Sequence, residues 1–274
     1  MFGFIIKKSF YDGWDNLYQI VVSNMVCMFA ALGLSVLLRF AIVSQSFLII
    51  AAAVIVFSII LSILVFAFGE SAASIANFEG TRIADYFINI PSVLKDAVLF
   101  GLLCSGIGLI SFIGVTYYWG ETFMGQFPML GIFLGAVIIW VDLFIILALQ
   151  WFLPIRSLMK NNFRKCLKKS FLILLDNTGF SILMFLHNIV CAVISVFCIG
   201  FVPSFSGISI SMTNALRLRL YKYDYLEEHP ELTGPGAKRK PKIPWEELIY
   251  DDRETFGTRK LKNLFFPWRE DKNK

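Results

Sequence analysis

Charge is what this sequence has least of. Asp, Glu, Lys and Arg make up 16% of its 274 residues against 57% hydrophobic, and they are crowded into a few stretches instead of being spread over a surface. That distribution excludes an ordinary soluble domain. Histidine is scarcer still, with two residues, of which only His187 lies in the apolar part of the chain. So little imidazole leaves little material for metal or acid/base chemistry. The five cysteines, Cys27, Cys104, Cys166, Cys191 and Cys198, contain no CxxC pair, and most sit inside apolar segments as small hydrophobes. No GxxxxGK[ST], HExxH, GxGxxG after a strand or GxSxG with usable partners occurs. The expectation is therefore no catalytic residue, no metal and no cofactor.

What the chain does have is a series of long uncharged runs. A bilayer core about 30 Å thick needs about 20 apolar residues at 1.5 Å rise each. Residues 17–38 and 47–68 meet that length most clearly, and residues 97–119, 130–153 and 178–200 follow. A shorter, more polar element over 204–220 completes an expected six membrane helices. Lys7 and Lys8 precede a first run too long for a cleaved leader, so it reads as a retained helix. Pro91 suits the first turn of the third span, and Pro154 reads as the stop of the fourth. The predicted fold is an all-α, polytopic transmembrane helical bundle over residues 1–221, with interfacial amphipathic helices. A basic tail, 222–274, reads as largely extended, because it has too few apolar residues to fold alone.

Lysine and arginine set the orientation. Lys7, Lys8, Arg82, Lys95 and the six basic residues from Arg156 to Lys169 fall on one side, and Arg39 alone on the other. Fourteen more follow Leu216, so both ends are expected in the cytoplasm. Arg164, Lys165, Lys168 and Lys169 lie opposite Phe163, Leu167, Phe171 and Leu174 at helical spacing, which predicts a basic interfacial helix facing anionic lipid headgroups. Such runs flanking spans are membrane-surface features before they are nucleic-acid sites. An internal match supports the layout. Lys7-Lys8-Ser9-Phe10 precedes Asp15-Asn16 as Lys168-Lys169-Ser170-Phe171 precedes Asp176-Asn177, with a weaker third copy expected near Pro91.

Polar residues inside spans carry the candidate sites. Asp142 lies near the middle of the fourth span, and His187 and Asn188 lie in the fifth. A contact between Asp142 and His187, joined by Asn24 from the first span, would satisfy all these groups, as interhelical glue or as a transport relay. The GxxxG at Gly131 and Gly135, with Gly101, Ser105, Cys104 and Gly108, offers small faces for close packing. In the tail, Trp245 anchors one aromatic-aliphatic cluster and Phe265, Phe266 and Trp268 another. These can dock on the membrane, on the protein's own loops or on a partner.

The Trp14-Asp15-Asn16-Leu17 start of the first span, the segment Asn161-Asn162-Phe163-Arg164-Lys165, and the span from Asn177 broken at Pro203 and followed by Ile208 to Leu220 carry a resemblance. Over about residues 5–225 the chain resembles the YesL-like family of bacterial integral membrane proteins, whose function is unknown and whose pattern lacks so long a basic tail. The resemblance implies a bacterial cytoplasmic membrane and a carbohydrate ABC-type import system as partner class. The functional expectation is a non-enzymatic accessory or regulatory membrane protein of a transport or envelope complex. The alternative is a small transporter or channel using Asp142 and His187.

Overall fold

The computed structural model describes residues 2–232 and 243–256. Among them the regular elements are helical throughout, with no strand. In chain order they are α1 (Phe2–Asp15), α2 (Leu17–Val43), α3 (Phe47–Ala76), α4 (Ile83–Ile88), α5 (Ile90–Tyr118), α6 (Glu121–Gln126), α7 (Pro128–Leu149), α8 (Phe152–Met159), α9 (Phe163–Asp176), α10 (Thr178–Phe197) and α11 (Ser204–Glu228). A 3-10 turn at Pro230–Leu232 and two short tail helices, α12 (Trp245–Leu248) and α13 (Tyr250–Phe256), follow. Among the described residues five segments are long and apolar enough to cross a membrane: Leu17–Val43, Phe47–Ala76, Ile90–Gln126, Pro128–Met159 and Thr178–Phe197. The protein is an all-α bundle of membrane type.

The helix α3 is the centre of the bundle, packed by α2, α5, α8 and α11. Its contact with α5 depends on a missing side chain. A Cβ at Gly101 would come within 2.7 Å of the Ile59 Cα, so only glycine lets the two backbones approach this closely. Below that contact Phe66, Phe100 and Phe152 form a ring cluster with centroids 4.8 to 5.9 Å apart. Gly131 and Gly135 give α7 its close approach to the end of the span before it. They leave room for the Tyr118 carbonyl, Met124 and the Trp119 ring at the α5–α7 turn.

Three boundaries differ from the sequence expectation. Pro154 does not stop the fourth span but sits in the first turn of α8, and α7 has already ended at Leu149. The reason is steric: a proline ring collides with the carbonyl four residues earlier, here Gln150, where the helix breaks. The described part of the tail is also helical. The helix α11 runs on to Glu228 and α12–α13 follow, because Ile249 (1% exposed) and Asp252 (5%) find burial on the bundle that an isolated tail lacks.

The third difference concerns the sixth element. The helix α11 is antiparallel to α10, the pair held by Asn177 with Tyr223 at one end and by the Ser204 amide donating to Ser195 Oγ (2.7 Å) at the other. Their turn does not reach the far end of α2. The Asn24 amide nitrogen donates to the carbonyls of Phe201 (2.8 Å) and Pro203 (3.1 Å), and its Oδ1 accepts the Ser206 N–H (3.2 Å). Gly200 lies against Met28. The turn is therefore level with the second and third turns of α2, about 22 Å short of Val43. The cause is polarity. Ser206, Ser209, Ser211, Thr213 and Asn214 of α11 are buried, and such a helix is tolerated only inside protein. Ser209 and Thr213 hydroxyls donate back to the carbonyls four residues earlier, and Ser206 meets Ser23 at 2.8 Å.

The internal match has a structural counterpart. The helices α1 and α9 are both 14 residues long, each ends on Asp, and each is separated by one asparagine, Asn16 or Asn177, from an apolar helix. Near Pro91 the shorter α4 meets α5 through Asn89 in the same way.

Two outcomes are expected. In sealed vesicles, a membrane-impermeant maleimide labels a single-cysteine chain carrying Ser44→Cys from the Arg39 side but not one carrying Cys198 alone. Equal labelling of both from that side would contradict the short hairpin. Asn24→Ala, which strands two carbonyls and one N–H, lowers stability in detergent by about 2 kcal/mol, read by thermal unfolding.

Candidate functional site

At the end of the bundle that carries α1, charged residues are buried instead of solvated. Arg156 of α8 pairs with Glu70 of α3 and, at 3.1 Å, with Asp96 of α5, and donates to the Ser92 carbonyl at 2.9 Å. Lys160, in the left-handed conformation that ends α8, reaches the same Glu70. The Arg156 and Glu70 side chains are about nine-tenths buried, so one guanidinium ties three helices together. Arg156 is one of the basic residues that set the orientation, and the structure buries it among carboxylates instead of leaving it in water. Its position in the second turn of α8, after the break, points it inward at two carboxylates.

A second cluster joins the ends of the chain to α3. Lys8 Nζ is 2.7 Å from Asp12 Oδ2 and donates to the Ala76 carbonyl at 3.2 Å. Asn214 donates to Asp12 at 2.8 Å and to Ser9 at 3.2 Å. Arg217 donates to the same Ala76 carbonyl and pairs with Asp252 of the tail at 2.9 Å, where Tyr221 also donates, at 3.3 Å. Phe78 closes the cluster, its ring 4.1 Å from Lys8 Nζ. Burial pushes the Lys8 ammonium below its ordinary value and the Asp12 carboxyl above its own, and each charge opposes the other's shift. Lys8, one of the basic residues that set the orientation, is 1% exposed. The exposed residues of α1 include the charged Lys7 and Asp15 beside an apolar row, Ile6, Phe10 and Trp14, one turn apart.

The predicted intramembrane residues are not brought together. Asp142 accepts a hydrogen bond from Ser111 of α5 at 2.7 Å. His187 faces Phe2, ring centroids 6.3 Å apart, and lies 3.5 Å from Cys191 Sγ. The two line different cavities, about 240 and 510 Å³. The reason is angular: Asn188, not His187, faces α7, where its amide lies 3.4 Å from Gln150 Oε1. Gln150 in turn donates to the Ser181 carbonyl at 2.9 Å, beside Trp151 Nε1 on Ser181 Oγ, also 2.9 Å. Asn24 serves the α10–α11 turn and neither Asp142 nor His187.

On α9, Arg164, Lys165 and Lys168 are exposed and Lys169 is half-buried, 3.5 Å from Met159 Sδ. The apolar stripe opposite them docks on protein: Phe163 meets Phe152, Phe171 meets Phe144, and Leu174 is buried. Trp245 of the tail is half-buried with the Arg219 guanidinium 5.9 Å from its ring. Phe265, Phe266 and Trp268 lie outside the described residues. No group of three His, Cys, Asp or Glu placed to hold a metal occurs among the described residues.

Sequence reading missed Glu70, Asp96, Asp12, Asn214 and Asp252. The available signal was weak: Glu70 is the first charge after an unbroken 22-residue apolar run, and Asp96 stands one residue from Lys95. The fold defines a class, an α-helical bundle of membrane type with a polar, charge-latched end. No family model matches the chain, and neither a curated protein nor a solved structure matches it.

Arg156→Met leaves Glu70 and Asp96 buried without their cation. The expected loss is about 3–5 kcal/mol in detergent unfolding, and adding Glu70→Met restores part of it. A loss under about 1 kcal/mol for the single variant would show that the pairs are not what joins α3, α5 and α8.

Proposed function

We propose that the protein is a non-enzymatic accessory membrane protein that packs against or regulates a transport or envelope complex through its charged end and its tail. In this reading it lies in a bacterial cytoplasmic membrane with both ends in the cytoplasm. The YesL-like resemblance suggests a carbohydrate ABC-type importer as the partner class. The observation that carries the reading is the anchor of the tail, Asp252 on Arg217 and Tyr221 with Ile249 buried beneath it. That anchor holds Tyr250, Asp251, Arg253 and Glu254 exposed on a fixed surface at the end where α1, α3 and α11 meet. A preformed surface loses less conformational entropy on binding than a free tail would. The exposed Arg164, Lys165 and Lys168 lie on α9, where they suit anionic lipid headgroups. The transport alternative loses its motivating pair, since Asp142 and His187 have separate partners.

The full chain and an Asp252→Ala variant, each purified from native membranes in mild detergent beside a chain ending at Leu232, give the test. The expected outcome is a set of co-purifying proteins that the variant weakens and the shortened chain loses. Three identical sets would end the tail-mediated reading.

A further inference from the structure

The pairing of α5 with α7 leaves one side unfilled. Gly114 packs under Ile138, so the helices are close there, but beside that contact a groove of about 240 Å³ opens along Cys104, Ile107, Gly108, Ser111, Asp142 and Ile145. A Cβ at Gly108 would meet nothing within 4 Å, so no described residue packs on Gly108. Around it Ile110, Ile139 and Ile146 are exposed, as lipid-facing side chains are. Asp142 lies about 21 Å along α7 from the Arg156 layer and about 16 Å from Gly131 at the opposite end, well inside a hydrocarbon core about 30 Å thick. A carboxylate at that depth is costly unless a cation or strong donors meet it, and the described residues offer Asp142 one serine hydroxyl.

We propose that this groove is the seat of a transmembrane helix of another protein, one carrying a lysine or arginine near its middle. The charge argues for it directly. The described residues supply no cation at that level, because Arg39 lies near the far end of α2 and Arg156 is committed to Glu70 and Asp96. A second copy of this chain would bring a second carboxylate to the first, the wrong sign for a stable contact. The shape argues the same way. Gly108 and Cys104 form a shallow floor on which an incoming helix can approach closely enough for its ammonium or guanidinium to reach Asp142. The inference rests on the accessory reading and deepens it, by giving the partner's membrane segment a chemistry.

The probe is a synthetic membrane-spanning Leu/Ala peptide with one central lysine, beside the same peptide with central leucine. Association with the full-length chain in phosphatidylcholine vesicles is followed by energy transfer between terminal labels. The lysine peptide is expected to bind about tenfold more tightly than the leucine peptide. Asp142→Asn, which keeps the Ser111 hydrogen bond and the parent's thermal unfolding, is expected to abolish the difference. Equal binding of the two peptides, or an unchanged preference in Asp142→Asn, overturns the proposal. So does Asp142-dependent energy transfer between two copies of the chain without peptide, which would make the occupant a second copy. The outcome is separable from the tail experiment. Loss of the lysine preference with a tail-dependent set of co-purifying proteins removes the groove alone, and a retained preference with tail-independent sets removes the tail reading alone.

Discussion

The carbonyl of Ala76 is the acceptor on which the charged end of the bundle converges. A helix leaves its last carbonyls without intrahelical donors and gathers partial negative charge there, so a buried C-terminus needs cations or N–H groups from elsewhere. Here α3 ends with Ala76 fully buried, and Lys8 from the first helix and Arg217 from α11 both donate to its carbonyl. One unmet backbone group thus brings the start of the chain and its last long helix to the same point. The rest of the cluster follows from those two cations. Burying them requires carboxylates, supplied by Asp12 and Asp252, and the second of these fixes the tail.

The need of a buried cation for carboxylates also governs the Glu70–Arg156–Asp96 cluster, six residues earlier on α3. Neither cluster resembles a proton path, since every charge in it is committed to a partner on a different helix or to a helix end. Both are instead devices of register: a guanidinium fork accepts only a narrow range of carboxylate positions, so it fixes how far α8 can slide against α3 and α5. Apolar packing alone does this poorly in lipid, where sliding a leucine face past another changes little in contact with hydrocarbon.

Function follows from what is left over once these internal contacts are made. Intramembrane polar residues that looked like a relay divide into structural roles: Asn24 holds a turn, Asn188 and Gln150 join two helices, and His187 lines an apolar cleft. Asp142 stays half-buried in the groove between α5 and α7, where the Ser111 hydroxyl donates to it.

By itself the sequence determined the class. Uncharged runs of about twenty residues must coil as helices in lipid, because nothing else there satisfies their peptide groups, and α2, α3, α5 and α7 appear where those runs are. It also announced the repeated pattern of a short helix, an asparagine and a long helix, which is local and written in adjacent residues. Tertiary structure alone decided which face of each helix met which neighbour. Asn188 rather than His187 turns to α7, Lys8 turns inward instead of to the membrane surface, and α11 folds back with its serines enclosed. These choices depend on helix rotation and on partners some 40 to 200 residues distant, such as Gln150 for Asn188, Asp96 for Arg156 and Asn214 for Asp12. Hydrophobic periodicity fixes that rotation only where one side of a helix is plainly wetter than the other. In hydrocarbon both sides are apolar, and the pairing of a few buried charges decides instead.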